Sequence, residues 1–200
     1  MAEDDIMVVT HGYLAGGFGS NKGCITNPDD MPGVTIRAAG KAFEQMLAGA
    51  GASIASMASS EAYPALQSGV LDAINTSSES FVSYRLYEQV KCYTPAGDFA
   101  LWFMYQPLLM NKSTFKALNP AQQSALLAAG AKAEAFYLGE AKKGDAIAAK
   151  TFADAGVELA EMTEADFNAW RELAKTTSYP AFVAETPNGQ ALLDLALSVE

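Results

Sequence analysis

The chain has 200 residues, half of them hydrophobic, and sets 13 Lys and Arg against 23 Asp and Glu for a net charge of −10. That hydrophobic fraction excludes a disordered chain, and the acidic balance argues against nucleic acid and anionic membrane surfaces as general partners. An anionic small molecule stays open, because one local cation outweighs a distant diffuse field.

The length suits one ordinary domain or two small lobes. No stretch reaches the roughly twenty apolar residues that span a bilayer. The opening "MAEDDIMVVTHG" is acidic and lacks the long apolar middle of a secretory signal. Its "IMVVT" run reads as a strand, and "GYLAGGFGSNKG" as a glycine-rich loop crossing between lobes. A short "CIT" segment and the turn-forming "NPDDMPG" follow.

From there strand and helix alternate. Val34–Ala38 reads as a strand, 41–50 as a helix with Phe43, Met46 and Leu47 on one face, and "GASIASM" as a second strand. Ser59 or Ser60 is placed to cap the helix "SEAYPALQS". "VLDAINT" gives a third strand and "SSESFVSYRLYEQV" another helix. Short links between these elements predict a parallel sheet wound right-handedly. The run "FALWFMYQPLLMNK" reads as a strand broken at Pro107. Asn119 and Pro120 open a very long helix that runs to about Ala155 and stops at Gly156, with Gly130, Gly139 and Gly144 as points where it can bend. "VELAEM" is a short strand, "TEADFNAWRELAKTT" a helix with capping-box spacing, and "NGQALLDLALSVE" a closing amphipathic helix.

Candidate chemistry is sparse. "GGFGSNKG" fails as a phosphate loop, since Lys22 follows Asn21 and precedes Gly23, and the glycines do not open a helix. The single histidine, His11, would have to meet Cys24 or a serine for nucleophilic catalysis, and no elbow motif surrounds either. One histidine and two distant cysteines give no metal site. Cys24 and Cys92 read either as one disulfide or as two buried thiols.

Arg37, one of only three arginines, is different. It ends the strand Val34–Ala38, and ligands of α/β sheets bind beyond the carboxyl ends of strands. Ser59 and Ser60 follow the second strand at a helix start, and Asn75 and Thr76 end the third. A guanidinium, hydroxyls at a helix N-terminus and an amide make a bed for a carboxylate. The alternative is an internal ion pair of Arg37 with Glu61 or Asp72. Trp102, Phe103 and Tyr105 form an aromatic group that is either core or a ligand contact.

Three blocks, "NPDDMPGVTIRAAG", "SSEAYPALQSGVLDAINTS" and "YEQVKCYT", occur in the order and at the spacing found in the substrate-binding subunits of tripartite ATP-independent periplasmic (TRAP) transporters, which the chain resembles from about Ile6 onward. The resemblance implies an α/β, periplasmic-binding-protein-like two-lobe fold (type II-like), with a parallel Rossmann-like sheet in lobe two and a long helix crossing both lobes. It implies an extracytoplasmic, periplasmic protein that captures a small organic acid, needs no cofactor, and delivers its ligand to the membrane permease subunits. Arg37 takes the position of the arginine that grips the ligand carboxylate. Asn75 or Thr76, and Ser59, take positions that line the pocket, and Trp102 or Phe103 would cover the apolar part. A second arginine common in the family corresponds to Gly19. Family members are about half as long again, so lobe one is expected to be incomplete at its N-terminal side. The expected division is 1–19 as a remnant of lobe one and hinge, 20–101 as lobe two, 102–135 as part of lobe one, 120–155 as the spanning helix, and 156–200 as a strand and helices packed on the lobes. Two rivals are a hydrolase using His11 with Cys24 or a serine, and a remnant that no longer binds.

Overall fold

The computed structural model describes residues 5–199, so the expectations for residues 1–4 lie outside the described residues. In chain order the elements are β1 (Ile6–Thr10), β2 (Tyr13–Ser20), β3 (Thr35–Arg37), α1 (Lys41–Gly49), β4 (Ser53–Ile54), α2 (Ala62–Gln67), β5 (Ala73–Ser77) and α3 (Ser78–Ser83). There follow β6 (Cys92–Thr94), β7 (Trp102–Tyr105), β8 (Leu108–Asn111), α4 (Lys112–Ala117), α5 (Pro120–Asp154), β9 (Glu158–Leu159), α6 (Glu164–Thr176), α7 (Ser178–Glu185) and α8 (Gly189–Leu197). Single 3-10 turns sit at Pro28–Asp30, Ser59–Glu61 and Leu86–Glu88.

The main sheet is mixed, which corrects the expectation of a parallel one. Its order is β4-β3-β5-β2-β6-β9, with β7 also paired to β2. Strands β3, β4 and β5 run parallel, but β2 is antiparallel to β5, β6 and β7. The segment read as a loop is therefore the central strand. Its glycines are what close pairing demands. A Cβ on Gly16 would lie 2.0 Å from the Thr76 carbonyl oxygen, and one on Gly17 would lie 1.9 Å from that of Thr94. Only glycine lets the neighbouring backbones approach so far.

Side chains alternate across the sheet. One face buries Phe18, Ile36 and Ala73 against Met46 and Leu47 of α1 and Trp170 of α6. The other buries Ile74 and Tyr93 against Phe81 of α3 and Phe152 near the end of α5. Helices on both faces satisfy the sheet's apolar surface and give a layered α/β core.

Helix α5 spans 35 residues, about 50 Å at 1.5 Å per residue. Asn119 caps it by accepting from the Gln122 N–H at 2.9 Å, and the Gln122 side chain accepts from the Asn119 N–H at 3.0 Å. Gly156, at φ 77°, ends it. The helix is continuous through its glycines, and Gly130 is where the Val9 carbonyl of β1 packs against it. A two-stranded antiparallel sheet of β1 and β8 stands apart from the main sheet.

Smaller expectations are also revised. Neither Ser59 nor Ser60 caps α2; the turn there is closed by the Glu61 carboxylate accepting from the Ala58 N–H at 2.9 Å. The run broken at Pro107 forms β7 and β8, and helix α4, which was not foreseen, starts at its last residue, Lys112, where Asn111 accepts from the Ser113 and Thr114 amides. Helix α7 was not foreseen. Cys24 and Cys92 form a disulfide, which selects between the two readings of these residues and removes Cys24 as a free thiol.

Candidate functional site

Arg37 ends β3, half-buried. Its Nε donates to the Met57 carbonyl at 3.0 Å and its Nη1 to the Asn75 carbonyl at 2.9 Å. Among the described residues it has no ion pair. The acids considered for it are engaged elsewhere: Asp72 accepts from the Thr35 N–H at 2.8 Å and pairs with Lys22 at 2.9 Å, and Glu61 closes its own turn. Burial pulls the Arg37 guanidinium below its ordinary value, opposed by the smaller influences of Glu44 and Tyr84. A guanidinium has five N–H donors in a rigid fork. Two carbonyls orient this one, and Nη2 has no hydrogen-bond partner among the described residues, the arrangement that favours a carboxylate.

Strand register sorts the other candidates. Arg37 pairs with Ile74 on parallel β5, so Arg37, Ile74 and Thr76 share a face of the sheet. Asn75 points to the opposite face, where it is fully buried. Its Nδ2 donates to the Gly17 carbonyl at 3.0 Å, and its Oδ1 is buried without a donor among the described residues. Asn75 and Trp102 both line a void of about 10 Å³ beside Phe43. The Trp102 Nε1 donates to the Ala39 carbonyl at 2.8 Å, which holds the ring on the Asn75 face. Phe103, 60 % exposed, takes the other face with Thr76 and Arg37. Ser59 opens the turn two residues past Met57, whose carbonyl holds Arg37.

The candidates thus fall into two sets around β5: Arg37, Thr76 and Phe103 on one face, Asn75 and Trp102 on the other. Sequence alone left Asn75 and Thr76 interchangeable, and the register distinguishes them. A larger groove of about 790 Å³ opens beyond Trp102, walled by Phe43, Phe167, Trp170 and Tyr179. Sequence reading missed it because its walls come from α1, α6 and α7, far apart in the chain.

The rival nucleophilic arrangement is not assembled. Cys24 is disulfide-bonded, and the His11 ring nitrogen Nδ1 is hydrogen-bonded to the Tyr105 hydroxyl at 2.7 Å, on the surface.

The fold is a layered α/β core with an oriented arginine at a strand end that has no ion pair among the described residues. Residues 12–185 match the DctP family, bacterial extracellular solute-binding protein family 7. The chain belongs to that family, whose members are extracytoplasmic binding proteins rather than enzymes. A curated solute-binding protein of Albidiferax ferrireducens is 34 % identical over 196 residues, which cover 98 % of this chain and 58 % of that protein. The crystal structure of a TRAP periplasmic solute-binding protein from Rhodoferax ferrireducens, with bound malonate, superposes with a TM-score of 0.91 at 34 % identity, covering 98 % of this chain and 62 % of that one. A TRAP periplasmic solute-binding protein from Sulfitobacter sp. NAS-14.1, with bound β-D-galacturonate, gives 0.84 at 26 % identity, covering 97 % and 63 %. The chain therefore spans about three fifths of the length of these relatives.

Proposed function

We propose that this chain carries the carboxylate-gripping part of an extracytoplasmic receptor that captures a small organic acid and passes it to a TRAP-type permease in the membrane. The observation that carries the reading is the Arg37 guanidinium, oriented by two main-chain carbonyls and unmatched by any acid among the described residues. Arg37 anchors the carboxylate, Thr76 and Ser59 orient it, and Phe103 lies over the apolar remainder. Asn75 and Trp102 act from behind β5 by fixing the strand end. The ligands of the two structural relatives, malonate and galacturonate, each carry a carboxylate, which supports this chemistry.

In this reading the main sheet around β2, with the helices on its two faces, forms one jaw, β1, β8 and α4 contribute to the other, and α5 runs across both. A ligand touching both jaws favours the closed arrangement by its differential affinity. The test is isothermal titration of the chain with malonate and with galacturonate, beside Arg37→Ala and Arg37→Lys. A charge-assisted hydrogen bond is worth about 1.5–3 kcal/mol, so Arg37→Ala should weaken binding at least about tenfold. Arg37→Lys should recover only part of that, since lysine keeps the charge and loses the fork. Unchanged affinity in Arg37→Ala would remove the anchor from the proposal.

A further inference from the structure

The groove of about 790 Å³ beyond Trp102 lies apart from the Arg37 guanidinium. Met46 and Trp170 in its wall belong to the core that buries Ile36 and Ala73, and Ile36 and Arg37 point to opposite faces of β3. Neither Arg37 nor Thr76 lines it. Its volume is that of a small-molecule site, which ordinarily spans about 300–1,000 Å³. Both tryptophans of the chain line it, and each ring is held through its indole N–H. Trp102 donates to the Ala39 carbonyl at 2.8 Å, and Trp170 to the Thr26 carbonyl at 2.8 Å. With those donors committed, the rings offer the groove only apolar surface, and Phe43, Phe167 and Tyr179 extend it.

The charge around this apolar surface has one sign. Acidic residues outnumber basic ones 23 to 13 in the chain, yet among the described residues no Asp or Glu lines the groove, whereas Lys41 and Arg171 do. The Lys41 ammonium is paired with Glu185 at 2.7 Å. The Arg171 guanidinium has no ion pair and no hydrogen bond among the described residues. Its Cζ lies 5.9 Å from the centroid of the Phe167 ring, so an aromatic wall of the groove carries an uncompensated cation.

We infer that the groove is a second binding site, for an amphipathic carboxylate whose apolar body packs against Phe43, Phe167 and Tyr179 and whose anionic end meets Arg171. Charge complementarity selects this occupant. A cation would meet the wrong sign, and a neutral apolar molecule would leave the guanidinium fork unused. A sugar acid would press hydroxyls against aromatic walls that offer them no partner. The inference does not rest on carboxylate capture at Arg37.

Because both tryptophans line the groove, their emission reports its occupancy without a label. The test titrates that emission with phenylacetate and with its neutral analogue phenylacetamide, in the unaltered chain and in Arg37→Ala, Arg171→Ala and Ala42→Leu. Arg171 and Ala42 are both exposed, so these two variants should keep the Tm of the unaltered chain. Expected is a saturable change with phenylacetate that persists in Arg37→Ala and weakens about threefold or more in Arg171→Ala. Ala42→Leu, which narrows the groove, should weaken acid and amide alike. Phenylacetamide should bind more weakly than the acid and be indifferent to Arg171→Ala. A change that Arg37→Ala abolishes and Arg171→Ala spares puts the acid at Arg37 and overturns the second site, while supporting the first. No saturable change, or one equal for acid and amide, overturns it as well.

Discussion

At the scale of single residues, Arg37 is a half-buried charge with no ion pair among the described residues. Its two carbonyl bonds offset part of the cost of burying it and fix the plane of its fork. Asp145 on α5 is a second half-buried charge. Among the described residues its hydrogen-bond partner is the Ser78 hydroxyl, which donates at 2.6 Å. Burial raises the Asp145 carboxyl above its ordinary value, and the Ser78 bond counters only part of that. The native state thus holds this proton more tightly than the unfolded chain does. The resulting stability is complete below the ordinary aspartate value of about 3.9 and is lost as pH rises through the raised native value. Asp145→Asn should flatten that fall and raise Tm at neutral pH by a small margin, as read in melts taken from acidic to neutral pH. An unchanged pH profile would mean that the carboxylate is solvated well enough to cost nothing.

At the scale of elements, legibility followed the local signal. Helix α5 was readable to within a residue because its start and stop rest on neighbours in sequence: an asparagine cap, a proline at the first position and a closing glycine. Strand β2 was not, because five glycines in twelve residues look like a loop until the strands that crowd it are known. Its antiparallel insertion also turns a sheet that reads as parallel into a mixed one. The position of Arg37 at a strand end was legible, whereas the split between Asn75 and Thr76 needed the register. Helix α4 did leave a sequence signal, the Asn111 cap ahead of Ser113 and Thr114, hidden by the apolar run before it. The crowding at β2 has a direct consequence. Gly16→Ala must push back the Thr76 carbonyl and the Trp102 ring, at a cost of about 3 kcal/mol or more, visible as a lower urea midpoint. Gly139→Ala, with open space around it, should instead be neutral or slightly stabilising, since alanine favours helix by about 1 kcal/mol over glycine.

At the scale of the whole molecule, the disulfide ties the segment after β2 to β6 across 68 residues. A cross-link closing a loop of that length is worth about 4 kcal/mol through the unfolded chain's lost entropy. Reduction should lower Tm accordingly, and the double variant C24S/C92S should melt like the reduced protein. A persistent disulfide belongs to oxidising compartments, in keeping with an extracytoplasmic family. The bond also makes residues 24–92 a covalent ring, and Arg37, Ser59, Asn75 and Thr76 all lie inside it. A protease that cuts once between those cysteines therefore releases nothing: the ring opens, but the severed ends stay on one molecule, heavier by a single water, until a reductant breaks the disulfide and parts the two pieces.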